Sequence, residues 1–211
     1  MSTRVAAIPR HSSTPAKMLA FGVILAAAVT FVFMYAIPYF LHYGPKQFDV
    51  YWPRRFGLLL HISGGMVALL LGPWQFSERL RRRNIQVHRN MGRAYLIAIL
   101  LGSIGSFYLA FTTTFGRAWG LSLLVLAIAW VTTSGMAFYL IKHRQVQLHR
   151  EWMVRSYIVT FGFVSFRAFN DYTPHSLFGP GPAGPVTWIW LCWTLPLFAY
   201  EIVLSLRRAR G

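Results

Sequence analysis

Arg83-Asn-Ile-Gln-Val-His-Arg89 and Arg144-Gln-Val-Gln-Leu-His-Arg150 are two copies of one heptapeptide, 61 residues apart. Arg, Gln, His and Arg are identical at matching positions, and the two variable apolar positions exchange only Ile for Val and Val for Leu. Each copy lies between two long apolar runs, and another Arg and a Tyr follow each copy within a few residues. A common offset across a hydrophobic hairpin indicates an internal structural repeat in a membrane protein.

The composition supports a membrane protein. Of the 211 residues, 55% are hydrophobic and only 12% are charged, whereas soluble domains carry about 25% charged residues. The net charge of +16 would suit nucleic acid as a partner, but the basic residues lie between apolar runs rather than along a soluble domain. We therefore expect no nucleic-acid binding and interpret the charge as topogenic, that is, as setting the orientation in the membrane. The lone Cys192 excludes an intramolecular disulfide.

The apolar runs predict an all-α integral membrane protein with six transmembrane helices. Each run has about 20 residues, enough to cross a hydrocarbon core of about 30 Å as a helix. The predicted spans are Met18–Leu41, Phe56–Phe76, Gly92–Thr114, Trp119–Ile141, Trp152–Tyr172 and Val186–Leu206. Spans 2–3 and 4–5 would be duplicated hairpins, and residues 1–17 and 207–211 would be tails on either side of one membrane domain, 18–206.

The charges predict the orientation of these spans. Of the 21 Lys and Arg residues, 16 flank the membrane on the side that holds both termini and both heptapeptides. Basic residues stay on the cytoplasmic face, so we expect a multi-pass protein of the bacterial cytoplasmic (inner) membrane with both termini cytoplasmic. Its partner is the lipid bilayer, with other membrane-complex subunits as further candidates. The connection Thr173–Pro185, with four Pro and three Gly, would be an irregular external loop.

The duplicated motif supplies one group of candidate binding residues. We expect the loops of the two hairpins to present His88 and His149 at one depth on the inner face, with Arg89 and Arg150 beside them. Two such imidazoles could be axial ligands of haem b or part of a metal site, and the arginines could hold propionates or a phosphate. The alternative is that the motif only closes each hairpin and binds helix ends and lipid phosphates.

A second group of candidates consists of ionisable residues within the spans. His61 and Arg167 lie at similar depth in the outer half, and Asp171 follows Arg167 by four residues, on the same helix face. An unpaired Arg is costly in a membrane, so Arg167 should face the bundle with Asp171 and within reach of His61. Glu201 lies near the depth of Arg155, which predicts a structural ion pair, with a proton relay as the alternative.

Several short motifs together resemble those of DUF2306, a family of bacterial integral membrane proteins catalogued as a domain of unknown function. They are His61 with Gly64-Gly65 and Leu71-Gly72-Pro73-Trp74-Gln75-Phe76, then His88-Arg89 with Gly92-Arg93 and Tyr95, then His149-Arg150 with Trp152-Met153 and Arg155-Ser156-Tyr157. The resemblance covers spans 2 to 5. It implies the multi-span fold and a shared inner-face site around the two His-Arg motifs, but no particular activity.

The sequence leaves two classes of function open, and it identifies no catalytic residue. The first is a membrane redox role, in which the protein binds haem or a quinone and transfers electrons or helps to assemble a respiratory complex. The second is a non-redox transporter or sensor of a small lipophilic or anionic solute, or a purely structural membrane subunit. Aromatic residues near the outer helix ends, among them Tyr39, Tyr51 and Trp119, are interpreted as an interfacial belt.

Overall fold

The computed structural model describes residues 15–178 and 183–210, and within these residues all regular structure is helical. The α-helices are α1 (Pro15–Phe31), α2 (Pro38–Leu41), α3 (Pro45–Phe48), α4 (Arg55–Gln75), α5 (Glu78–Arg83), α6 (Ile85–Thr112), α7 (Arg117–Lys142), α8 (Val146–Tyr172) and α9 (Ala183–Ala209). A π-helical turn (Val32–Ala36) joins α1 to α2, and 3-10 helices cover Asp49–Arg54 and His175–Phe178.

The last five residues of each heptapeptide lie in a helix, so the prediction that the two copies form loops is wrong. Helix α6 begins at Ile85 rather than at Gly92, and α8 begins at Val146 rather than at Trp152. The Asn84 side chain explains the early start of α6, because its Oδ1 accepts a hydrogen bond of 3.0 Å from the backbone N–H of Val87 and so satisfies a free donor of the first turn. Both copies therefore form the first turns of long helices.

Five helical segments of the described chain are long and apolar enough to cross a membrane: Pro15–Leu41, Pro45–Gln75, Ile85–Thr112, Arg117–Lys142 and Ala183–Ala209. This confirms an all-helical membrane protein, whereas the prediction of six spans is not confirmed. The remaining long helix, α8, has 27 residues but is less apolar. Its polar residues are explained by its position, since α8 packs against both α7 and α9 and also touches α1 and α4.

Helices α4 and α6 pack so closely that their backbones touch. A Cβ atom built on Gly64 would lie 2.3 Å from the carbonyl oxygen of Ala98 in α6. A Cβ atom built on Gly105 would lie 2.5 Å from the carbonyl oxygen of Gly57 in α4. Glycines permit this approach because they have no side chain at the interface. Gly65, in contrast, has no such neighbour within 4 Å.

Buried hydroxyl groups join α6, α7 and α8 in the middle of the bundle. The Tyr95 hydroxyl lies 2.8 Å from Ser156 Oγ and 3.1 Å from Thr160 Oγ1, and Ser156 Oγ lies 2.8 Å from Ser134 Oγ. The Trp130 indole N–H donates to Thr160 Oγ1 at 2.8 Å. Groups of this kind need partners away from water, so the network fixes the three helices relative to each other.

The predicted tails and the predicted external loop are only partly described. Residues 1–14, 179–182 and 211 lie outside the described residues. The last residues of the predicted N-terminal tail form the first turn of α1, and Arg207 belongs to α9. The connection Thr173–Pro185 is not irregular throughout, because it contains the 3-10 helix and because α9 already begins at Ala183.

Candidate functional site

A cavity of about 580 Å³ lies in the half of the bundle opposite the heptapeptides. We call it the distal cavity. Many helical segments contribute to its wall, which includes Phe31 in α1, Tyr35 in the π-helical turn, His61 in α4, Ser106 in α6, Trp130 in α7 and Phe163 in α8. Residues of α2, the first 3-10 helix and α9 also line it. The wall is mainly apolar and aromatic, with a few polar groups. This combination is typical of binding sites for small molecules.

The sequence explains why there is space at this place. Gly102 and Gly105 let α6 contact α4, and 62 residues further on the chain has Val164 and Arg167 instead. The same offset relates the arginine and the tyrosine that follow each heptapeptide. Side chains at these positions of α8 cannot permit the backbone contact that the glycines of α6 make, and both Val164 and Arg167 line the distal cavity.

His61 is a polar group in the distal cavity with one ring nitrogen already engaged. Its Nδ1 lies 2.7 Å from Ser106 Oγ and 3.2 Å from the Gly102 carbonyl oxygen. The ring packs edge-to-face with Trp130 and Phe163, with centroids 6.1 and 5.6 Å apart. No described group forms a hydrogen bond with Nε2. Nε2 is therefore the atom that His61 can offer to a ligand.

Arg167, Asp171 and Tyr35 form a polar cluster between α8 and the π-helical turn. Arg167 Nη1 lies 3.7 Å from Asp171 Oδ1, and the guanidinium lies 5.1 Å from the centroid of the Tyr35 ring. The Tyr35 hydroxyl donates to Asp171 Oδ2 at 2.8 Å. Arg167, Tyr35 and His61 all line the distal cavity. The structure thus brings two of the predicted outer residues, His61 and Arg167, to one cavity. The third, Asp171, is not part of the wall and contacts Arg167 and Tyr35.

Two further polar side chains of the wall have atoms that are buried and unpaired. They are the Nε1 of Trp119, a donor, and the Oδ1 of Asn170, an acceptor, and within the described chain neither has a hydrogen-bond partner. Unpaired buried groups are uncommon because desolvation without a partner costs roughly 1–3 kcal/mol each. Both atoms are therefore available for a hydrogen bond with a bound molecule.

The predicted inner-face residues lie away from the distal cavity. His88 is in α6, 18 residues before Ser106, which is about 27 Å along a helix. The Nδ1–H of His149 donates to the Ala137 carbonyl oxygen at 2.8 Å, whereas His88 Nδ1 is buried without a partner among the described residues. The two histidines are thus in different environments.

The flanking charges of the heptapeptide half form ion pairs or are exposed. Arg89 and Arg150 are exposed. Arg155 and Glu201 form a two-point pair, with Nε to Oε1 at 2.6 Å and Nη2 to Oε2 at 2.9 Å. The Arg155 side chain is 12% exposed and the Glu201 side chain is 47% exposed, so this pair joins α8 to α9 with only the arginine largely buried. Among the described residues there is no group of three or more His, Cys, Asp or Glu that could hold a metal ion.

Sequence reasoning missed Ser106, Trp130 and Thr160 as residues of the cavity. A signal for Ser106 existed, because His61 is six residues after the start of α4 and Ser106 is six residues before the end of α6. In an antiparallel hairpin these positions lie at one depth. Three aromatic residues were interpreted only as part of the interfacial belt, although they also line the cavity: Tyr39, Tyr51 and Trp119.

Comparison with known proteins identifies the family of the chain. No curated protein and no solved structure matches the chain. Residues 58–204 match the family DUF2306, described as a predicted membrane protein. The match extends from α4 into α9 and includes both heptapeptides, which agrees with the helical membrane fold described above. The resemblance inferred from the motifs is confirmed, and the chain belongs to the DUF2306 family of predicted membrane proteins.

Proposed function

We propose that the chain crosses the cytoplasmic (inner) membrane of a bacterium six times, with both termini in the cytoplasm. In this topology α8 is the sixth span. Its 27 residues are enough for about 40 Å of helix, and its packing between α7 and α9 supports a position inside the bundle. The concentration of Lys and Arg on the heptapeptide side supports the orientation, so the distal cavity faces the outer half of the membrane.

The same proposal includes one membrane domain and two related hairpins, α4–α6 and α7–α8. The second heptapeptide opens α8 just as the first opens α6, and this supports a duplication. The hairpins have since diverged, because the glycines that bring α6 against α4 have no counterparts in α8. The diverged hairpin supplies much of the wall of the distal cavity.

The function that the geometry supports best is binding of a lipophilic ring compound of the quinone class. The observation that carries this proposal is the distal cavity, in which an apolar, aromatic wall surrounds the imidazole of His61. Its volume of about 580 Å³ lies within the usual range of about 300–1,000 Å³ for ligand pockets. A flat ring can stack on the aromatic wall, and a ring oxygen can form a hydrogen bond with His61 Nε2.

A quinone gives this membrane protein a redox role without a resident metal. Reduction of a quinone to a quinol takes up two electrons and two protons, and oxidation of the quinol releases them. A partner in the membrane supplies the electrons in the first case and accepts them in the second. The chain's own residues bind the ring and orient its oxygen. Haem b held by His88 and His149 fits less well as a symmetric site, because His149 Nδ1 is bonded to the Ala137 carbonyl oxygen whereas His88 Nδ1 has no partner among the described residues.

The test is a titration of the purified protein with decylubiquinone, in which binding is measured by the quenching of tryptophan fluorescence. Trp119 and Trp130 line the cavity, so a bound quinone should quench them. His61→Leu should weaken binding roughly fivefold to tenfold, the effect of one lost hydrogen bond of about 1–1.4 kcal/mol. The matched control is His88→Leu, which should bind as the wild type does.

Two results would reject the quinone. The first is that the wild-type protein does not bind decylubiquinone, and the second is that the wild type and His61→Leu bind it with equal affinity. A second function is tested as well, namely binding of a lipophilic anion. The observation that favours it is the position of Arg167 on the cavity wall, where its guanidinium could pair with the anion. Binding of laurate that is lost in Arg167→Leu, without binding of decylubiquinone, would favour a non-redox transporter or sensor.

A further inference from the structure

We propose that Ser106 enables the distal cavity to accept both the oxidised and the reduced form of a quinone, by permitting His61 to adopt either of its two neutral tautomers. The inference rests on the proposed function and assigns a role to a residue that does not need to touch the ligand. The two forms differ in their hydrogen bonding. A quinone oxygen is a carbonyl that only accepts, whereas a quinol oxygen is a hydroxyl that can donate.

The geometry around His61 permits both tautomers. In the first, Nδ1–H donates to Ser106 Oγ at 2.7 Å, and the serine hydroxyl donates to the Gly102 carbonyl oxygen at 3.1 Å. In the second, the serine hydroxyl turns and donates to Nδ1. A serine hydroxyl can act in both ways because it has one hydrogen and two lone pairs.

Each tautomer gives Nε2 a different role towards a ligand. When Nδ1 carries the proton, Nε2 has a free lone pair and can accept a hydrogen bond from a quinol hydroxyl. When the Ser106 hydroxyl donates to Nδ1, the proton is on Nε2, which can then donate to a quinone carbonyl. The pair of His61 and Ser106 can therefore bind both forms through one nitrogen atom.

Without the serine, only one tautomer keeps a partner. In Ser106→Ala the remaining polar neighbour of Nδ1 is the Gly102 carbonyl oxygen, 3.2 Å away. A carbonyl oxygen cannot donate, so Nδ1 must keep its proton, and a proton on Nε2 would leave two lone pairs facing each other. The variant should therefore bind a quinol normally and a quinone poorly.

The experiment compares the affinities of oxidised and reduced decylubiquinone in wild type, Ser106→Ala and Ser103→Ala. Ser103 is the matched control because it lies in the same helix and its Oγ is buried without a described partner. We expect Ser106→Ala to lose roughly fivefold to tenfold in affinity for the quinone and to keep its affinity for the quinol. Equal loss for both forms, or no loss for either, would overturn the inference.

A second measurement requires no ligand. The ¹⁵N shifts of the His61 imidazole distinguish a protonated from an unprotonated Nδ1. Wild-type protein should show averaged shifts, and Ser106→Ala should show a protonated Nδ1 and an unprotonated Nε2. Identical shifts in the two proteins would contradict the role of Ser106. If neither redox form binds to wild type, the proposed function fails, and the shifts still decide whether Ser106 controls the tautomer.

Discussion

Substitution of two adjacent glycines by alanine should have opposite effects on stability. Gly64 faces α6, where its new Cβ atom would lie 2.3 Å from the Ala98 carbonyl oxygen and 2.5 Å from the Gly102 nitrogen. An ordinary contact begins at 3.4 Å, so the helices would have to separate by about 1 Å, and the neighbouring atoms are backbone atoms that cannot turn aside. Gly65 faces the distal cavity and has open space around it.

The expected magnitudes follow from this geometry. Overpacking typically costs about 1–3 kcal/mol, and backbone obstacles favour the upper end of that range. An alanine in place of a helical glycine contributes about 1 kcal/mol in favour of folding. Gly64→Ala should therefore destabilise the protein by roughly 2 kcal/mol, and Gly65→Ala should stabilise it by up to about 1 kcal/mol.

Thermal unfolding in one detergent at one scan rate is a suitable assay. For a chain of this size, 1 kcal/mol corresponds to about 2–4 °C in Tm. The two variants should thus differ by roughly 4–12 °C, with Gly64→Ala below wild type and Gly65→Ala at or above it. If Gly64→Ala unfolds at or above the wild-type temperature, the close approach of α4 and α6 is refuted.

Three further predictions concern other parts of the bundle. Glu201→Leu should lower stability by roughly 1–3 kcal/mol because it leaves a largely buried Arg155 unpaired. The double variant Arg155→Leu/Glu201→Leu should lose less stability than Glu201→Leu alone, and a Tm loss equal to the sum of the losses of the two single variants would contradict the pairing. Tyr35→Phe should raise hydrogen–deuterium exchange in α1 and leave α6 unchanged, since it removes the hydrogen bond from the π-helical turn to α8; equal exchange would show that this bond does not hold α1. A cysteine at Ser176 should react with an external maleimide and one at Ser205 should not, and strong external labelling at Ser205 would reject the orientation.

The sequence predicted the helices well because hydropathy and length are local properties. It misplaced the start of α6 because that start depends on a single cap, the Asn84 side chain, in a polar stretch that carries no hydropathy signal. The lower hydropathy of α8 is visible in the sequence, but its structural reason is not. That reason is its packing against several neighbours, which is a property of the folded bundle.

The candidate site was predictable in part. His61 and Arg167 were identified because ionisable groups within a span are costly unless they have a role. The cavity that contains them was not predictable, since it depends on how closely helices approach, and hydropathy is insensitive to the difference between a glycine and a valine at an interface. The expected inner-face site rested on the symmetry of the two heptapeptides, and the unlike environments of His88 and His149 do not follow that symmetry.

The hydrogen bond between Tyr35 and Asp171 imposes a delay during synthesis of the protein. The two residues are 136 positions apart, and at ribosomal speeds of 5–20 residues per second Tyr35 is made about 7–27 s before its partner. Once α6 has been made as far as Thr112, α4 and α6 can associate through their glycines, whereas the π-helical turn still has no access to Asp171. The segment from α1 to the π-helical turn is therefore made well before its partner on α8, and the distal cavity lacks the Arg167 part of its wall until the end of α8 has been made.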